Sequence, residues 1–163
     1  MASIKRRPKG LDSPVVPAII KYMSRAQVWL YRRTGGRLGS KWRVGAGFRN
    51  PVDTLLLDHR GRKSGTVFTA PLLYMPDGDN LVVVASQGGL PHHPQWYLNL
   101  RADPDTRVQV GDEVRHVRAR TATGKEREAL WERLVETYAD FASYQSWTDR
   151  EIPVVVLEPR AAG

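Results

Sequence analysis

Val52-Asp53-Thr54-Leu55-Leu56-Leu57-Asp58, Val67-Phe68-Thr69-Ala70-Pro71-Leu72-Leu73-Tyr74-Met75 and Leu81-Val82-Val83-Val84-Ala85-Ser86 are three short runs rich in branched and aliphatic residues. The first gap between them is His59-Arg60-Gly61-Arg62-Lys63-Ser64-Gly65 and the second is Pro76-Asp77-Gly78-Asp79-Asn80, both stocked with turn residues. Strands joined by such short turns form a meander of hairpins. Further along, Thr106–Val110 and Glu113–Arg120 predict another hairpin across Gly111-Asp112, and Pro153–Leu157 predicts a buried closing strand. About six strands with a few helices between them predict an α+β fold built on an antiparallel barrel.

The helices are read from their ends. Pro94–Leu100 predicts a short helix stopped by Asp103-Pro104. Thr123 predicts the cap of a helix from Gly124 to about Tyr138, with Glu126 completing a capping box. Asp12-Ser13-Pro14 opens a helix over residues 14–34, closed by Gly35-Gly36. Val16, Ile19, Ile20, Met23, Gln27 and Leu30 recur at helical spacing and are apolar at all but one position, while Lys21, Arg25, Arg32 and Arg33 make a cationic face. The apolar stripe is expected to cover the open side of the core, with an anionic lipid surface as the alternative partner. Residues 37–51 carry Gly39, Gly45, Gly47 and four cations, Arg37, Lys41, Arg43 and Arg49, without a period, and read as a mobile basic loop.

A chain of 163 residues is sized for one domain, placed here at residues 13–163 behind a basic flexible tail at 1–12. Charge is split along it: residues 1–63 hold 15 Lys and Arg against three Asp, and residues 64–163 hold 10 against 14 acids. Such asymmetry points to an anionic partner. Cysteine is absent, which excludes disulfides, thiolate nucleophiles and iron–sulfur ligation and fits a reducing cytoplasm. No apolar run approaches the roughly 20 residues of a membrane span, and no signal-peptide pattern follows the basic start. Peripheral membrane contact through the 14–34 helix, and a monomer or a homodimer, are both compatible with this sequence.

Several chemistries fail for want of residues. His59, His92, His93 and His116 have no metal-ligand spacing, so no metal site is expected. There is no Gly-x-x-x-x-Gly-Lys-Ser/Thr loop, no Gly-x-Gly-x-x-Gly after a strand and no Gly-x-Ser-x-Gly elbow. What remains is Gly61-Arg62-Lys63-Ser64-Gly65, where two cations and a hydroxyl sit between glycines; Ala85-Ser86-Gln87-Gly88-Gly89, where a strand ends in small residues; and Pro94-Gln95-Trp96-Tyr97-Leu98-Asn99. A nucleic-acid module using Trp42, Trp96 and Tyr97 for stacking would also explain the charge, but gives no reason for the motifs after residue 61.

Taken in order with Pro71-Leu72 and Tyr144-Gln145-Ser146-Trp147-Thr148-Asp149-Arg150, these motifs resemble the deazaflavin-dependent nitroreductase family, oxidoreductases that use reduced coenzyme F420. The resemblance runs from about Ser13 to Pro159. It implies a split β-barrel like that of the flavin-binding pyridoxamine phosphate oxidases, with the deazaflavin in a groove of the barrel. It assigns the cofactor phosphate to Arg62, Lys63 and Ser64, and the ring and ribityl chain to Thr69, Ala70, Pro71, Leu72, Leu73, Val84, Ala85, Ser86, Gln87, Gln95, Trp96, Tyr97, Leu98 and Asn99. The cofactor's phosphate and polyglutamate tail agree with the basic N-terminal half. Tyr138 and Tyr144 match a tyrosine-rich segment over the substrate side of the ring, while Phe141 replaces the tyrosine between them. That loses a hydroxyl and counts against bulky nitroaromatic substrates. Gln87 stands where a lysine is common. The activity implied is hydride transfer to an electron-poor acceptor: a quinone, an activated enone or lactone, or a nitro compound. Ser86 would hydrogen-bond the acceptor oxygen, and Tyr138 would position the substrate, with Tyr138 or solvent as proton donor. The alternatives are an FMN-dependent reductase and a non-catalytic flavin or deazaflavin carrier on the same fold.

Overall fold

In a computed structural model, residues 6–7, 9–10, 13–42 and 50–161 are described. Their helices are α1 (Val15–Thr34), α2 (Gln95–Ala102), α3 (Gly124–Thr137) and α4 (Asp140–Ser146), and their strands are β1 (Lys41–Trp42), β2 (Val52–Arg60), β3 (Val67–Asp77), β4 (Asn80–Val84), β5 (Asp105–Val110), β6 (Glu113–Thr121) and β7 (Val154–Pro159). The order β2-β3-β4-β7-β6-β5 closes on itself because Leu56 and Leu57 of β2 pair with Gln109 and Val108 of β5. The result is a six-stranded antiparallel barrel, with the two-residue β1 added beside β2. The hairpins expected across residues 61–65, 76–80 and 111–112 all form.

Side-chain alternation sorts the barrel into two cores. Leu55, Leu57, Leu81, Val83, Val108, Val117, Val155 and Leu157 fill the interior, which α2 plugs with Trp96, Tyr97 and Leu100. The intervening Val82, Val84, Val154 and Val156 point outward and pack under α3 and α4, against Leu130, Leu134, Tyr138 and Phe141. Both faces of β4 and β7 are therefore buried, which is why these strands read as near-continuous Val and Leu.

Four expectations need correction. The apolar stripe of α1 does not cover the core: Ile19, Ile20, Met23 and Leu30 are exposed by 52%, 55%, 67% and 37%, and the only buried side chain of the helix is Tyr31. Ser24, Gln27, Val28 and Tyr31 turn inward instead. Polar bonds hold the helix: the Tyr31 hydroxyl lies 3.1 Å from the Thr54 carbonyl and 3.3 Å from that of Gln109, and accepts from Gly111 N at 2.8 Å. Gly36 lets the chain end against the β5–β6 turn, since a Cβ there would sit 2.6 Å from the Gly111 Cα. The capping box does not form: Thr123 makes no side-chain cap bond, and the Glu126 carboxylate that would reach back to the Thr123 N–H is taken by Arg120 at 2.5 and 2.9 Å. Within the 37–51 loop, Lys41 and Trp42 form β1 rather than loop. The start of α1 also shifts by one residue: Pro14, expected at the first helical position behind a Ser13 cap, is itself the N-cap, Val15 opens the helix, and no side chain makes a cap bond. Asp12 and residues 43–49 lie outside the described residues. Among the described residues, no helix is long and apolar enough to cross a membrane.

Candidate active site

The barrel is split where β3 and β4 part. Their pairing runs only from Tyr74 opposite Val83 to the turn at Asp77 and Asn80. Among the described residues, β3 from Val67 to Leu73 is paired on one edge alone, with β2. Pro71 sits in this open stretch, where a missing N–H costs nothing. Thr69 to Leu73 are half-buried, between a β2 and a β4 that are buried nearly throughout. The cleft therefore offers a strip of side chains and a row of backbone groups to a flat ligand.

One end of the cleft is the turn between β2 and β3. Arg62 is tied to α2: its backbone N–H donates to Asn99 Oδ1 at 3.1 Å, and its guanidinium donates to Asn99 Oδ1 and Gln95 Oε1, each at 2.9 Å. With its carbonyl so occupied, Asn99 turns its amide nitrogen to His59 Nδ1 at 2.9 Å. That bond requires Nδ1 to be unprotonated. Burial agrees, lowering the His59 pKa from its usual value against an opposing pull from Asp58. Lys63 and Ser64 are exposed beside Arg62, and the Ser64 hydroxyl accepts from Thr66 N at 3.2 Å.

The other end is the loop leaving β4. Val84 and Ala85 are buried and Ser86 is half-buried. Gln87 then adopts a φ of 45°, in the left-handed region that a residue with a side chain rarely enters. Such local strain clusters at functional sites. Gly89 allows α4 to close over this loop, because a Cβ there would lie 2.6 Å from the Tyr144 carbonyl oxygen. Tyr144 is half-buried; its hydroxyl is 3.4 Å from that of Tyr138, which is only 2% exposed. Phe141 is buried and meets Tyr138 edge-on at 5.1 Å, so the position that lacks a hydroxyl is packed into the outer core.

Between these ends the expected residues divide by role. Ala70 and Leu72 pack toward the barrel interior and Leu73 toward the outer core. Trp96 and Tyr97 are each 7% exposed, and this burial removes two of the three aromatics on which nucleic-acid stacking would depend. Leu98 is half-buried and Asn99 buried. Thr69 donates to Asp58 at 2.7 Å and accepts from Arg32 at 2.8 Å.

Two features escaped the sequence reading. Asp58, at the end of an apolar run, is a buried carboxylate receiving Arg32 at 3.1 Å and Arg107 at 2.7 Å, and so ties α1 and β5 to β2. Arg32 belongs to α1, so the helix also walls a groove of about 710 Å³ against β3, lined by Lys21, Arg25, Arg32 and Arg33 with Trp29 and Phe68. The groove reaches the 61–65 turn through Phe68, whose ring lies 3.2 Å from where a Gly61 Cβ would be. The second feature is Arg150, whose guanidinium donates to the carbonyls of Ala85, Ser86 and Leu90. The Tyr144–Arg150 motif held it, but nothing in the spacing shows that its partners are carbonyls some sixty residues away.

Residues 23–159 match the F420H(2)-dependent quinone reductase family. A relative from Mycobacterium tuberculosis, provisionally named an F420H(2)-dependent quinone reductase, is 58% identical over 118 residues, covering 72% of this chain and 99% of its own. Among solved structures, an F420-H2 dependent reductase, FDR-A, superposes with a TM-score of 0.60 at 42% identity, over 64% of this chain and 93% of that one. Another, described as a domain-swapped dimer, gives a TM-score of 0.64 at 34% identity over 87% of this chain and 99% of that one.

Proposed function

The chain belongs to the F420H(2)-dependent quinone reductase family, and from that premise we propose that it reduces an electron-poor acceptor with coenzyme F420H2. A quinone is the acceptor class that the family carries; activated enones, lactones and nitro compounds extend it. The observation that carries the reading is the split between β3 and β4, with a cationic turn at one end and hydroxyl groups at the other.

The residues fit the cofactor. Arg62, Lys63 and Ser64 would take its phosphate, with Arg62 pre-set by Asn99 and Gln95. Thr69 to Leu73, Val84 to Gln87 and Gln95 to Asn99 would bracket the ring and ribityl chain, the buried Trp96 and Tyr97 backing the cleft as packing rather than as stacking surfaces. Among the described residues no carboxylate lines the α1–β3 groove, which suits the acidic tail. When bound, the deazaflavin supplies the hydride, and the protein supplies orientation and charge stabilisation. Ser86 would donate a hydrogen bond to the acceptor oxygen as negative charge develops there. The Tyr144 hydroxyl, on the less buried of the two rings, lies 3.4 Å from that of Tyr138, so a proton from Tyr138 would pass through it to reach the acceptor, with solvent as the other source.

The reading treats residues 13–163 as one functional unit. The outward stripe of α1, with cations beside it, would rest on an anionic membrane where apolar quinones dissolve, or against a second copy, as the domain-swapped relative allows. The deciding experiment is a titration of the purified protein with oxidised F420 and, separately, FMN, followed by oxidation of the reduced cofactor by menadione. Deazaflavin binding with acceptor-dependent turnover is expected. Binding without turnover would identify a carrier, and binding of FMN alone would transfer the cleft to that cofactor.

A further inference from the structure

The loop that leaves β4 is held from outside by one side chain. Arg150 follows α4, and its guanidinium donates through Nε to Leu90 O at 3.0 Å, through one terminal nitrogen to Ala85 O at 3.3 Å and His93 Nδ1 at 3.2 Å, and through the other to Ser86 O at 2.8 Å. Three carbonyls and an imidazole nitrogen converge on one forked, planar donor, an arrangement that a lysine ammonium cannot reproduce. The base of this clamp is fixed as well. Gln145 Nε2 donates to the Arg150 carbonyl at 2.8 Å, while Gln145 Oε1 accepts from Ile152 N at 2.9 Å.

The loop needs such a hold. Gln87, Gly88 and Gly89 follow one another at φ of 45°, 61° and 75°, and the backbone bonds inside the loop are Gly89 N to Ser86 O at 2.9 Å and Leu90 N to Gln87 O at 3.2 Å. Gly88 and Gly89 enter the left-handed region without steric cost, but Gln87 carries a side chain there and persists only where its surroundings over-determine it. Arg150 supplies that determination from across the chain. By donating to His93 Nδ1 it also leaves the imidazole proton on Nε2, with the ring 5.1 Å from that of Tyr97.

We propose that Arg150 is a positioning residue of the reductase site: by fixing the carbonyls of Ala85, Ser86 and Leu90 it sets the direction of the Ser86 hydroxyl at the acceptor end of the cleft. This rests on the cleft being the reductase site. Arg150 acts through Ser86 and touches neither cofactor nor acceptor.

The test compares Arg150→Lys and Arg150→Gln in the full chain by three readouts. Hydrogen exchange without cofactor is expected to show the Gly89 and Leu90 amides opening at least tenfold faster, with α3 unchanged. With F420H2 and menadione, kcat is expected to fall at least tenfold, while the dissociation constant of oxidised F420 moves no more than threefold, since Arg62, Lys63 and Ser64 are untouched. In Arg150→Ala, millimolar guanidinium is expected to restore part of kcat. Unchanged exchange at Gly89 and Leu90, or an Arg150→Lys kcat within twofold of the parent, overturns the proposal. Should the parent itself fail to oxidise F420H2, the reductase reading falls, and the exchange arm still decides whether the clamp exists. If Arg150→Gln does not fold, Arg150→Lys carries the same readouts.

Discussion

The two sides of the barrel are covered by helices in opposite ways. On the β4–β7 side, the 14-residue α3 buries Leu130 and Leu134 against Val82, Val84, Val154 and Val156, with Tyr138, Phe141 and Ile152 completing the buried layer. On the β2–β3–β5 side, the 20-residue α1 buries Tyr31 alone, and its contacts run through a hydroxyl, the Gln27 amide and the Arg32–Asp58 pair. The longer helix is the less embedded. Apolar burial scales with area and resists local opening, whereas a few polar bonds trade one partner for another, water included. The side that faces the proposed cofactor tail is thus the one built to open.

The largest effect expected from this contrast is a pairing of truncations. Leu134→Ala, at 2% exposure, should cost about 2–5 kcal/mol in urea unfolding, whereas Met23→Ala on α1, at 67%, should stay within about 0.5 kcal/mol. A Met23→Ala loss that matched Leu134→Ala and grew with protein concentration would show the α1 stripe to be covered by a second copy. A loss independent of concentration would break the comparison.

Next in size is the buried anchor of α1. Tyr31→Phe keeps the ring but strands the Gly111 N–H that now donates to the hydroxyl at 2.8 Å, a loss of about 1–3 kcal/mol. Hydrogen exchange should speed up along α1 and leave α3 alone. Equal acceleration in both helices would mean that the two sides open together.

The contrast marks what the sequence could disclose. Strand positions were legible because a short aliphatic run bounded by turn residues is a local signal, but a run such as Leu81–Val84 does not say that Leu81 and Val83 face one core and Val82 and Val84 the other. The turn at Arg62, Lys63 and Ser64 was legible for the same reason, since its glycines and cations are contiguous. The direction of α1 was not. A stripe at helical spacing announces an interface without saying with what, and Tyr31 reads as one more apolar residue until its hydroxyl meets Gly111. Asp58 and Arg150 were hidden differently. Each is an ordinary charged residue whose partners come from distant strands and loops, so neither carries a pattern of its own. Thr123 and Glu126 spelled a capping box, yet Arg120 on a neighbouring strand drew the glutamate away.

The smallest effect expected separates the two sides by pH. His59 lies on β2 with Asp58 beside it, Phe68 stacked at 5.7 Å and Asn99 donating to its Nδ1. Burial holds its folded-state pKa below the value of about 6.5 for a free imidazole. The unfolded chain therefore binds the proton first as pH falls, and the stability present above about 6.5 is lost as pH drops toward the folded-state value. Once protonated, Nδ1 faces the Asn99 amide as a second donor, and the amide must flip, which sets its NH2 group against Arg62. Below neutral pH, melting temperature and phosphate-end affinity should both decline, by less than in either loss above. His93 is also held low, by burial and by Arg150 and Arg101, so the measurement compares the parent with His59→Asn. A slope that survives in His59→Asn would move the effect away from the turn, with His93→Asn as the next comparison; a slope that vanishes would place it at the turn that α2 holds.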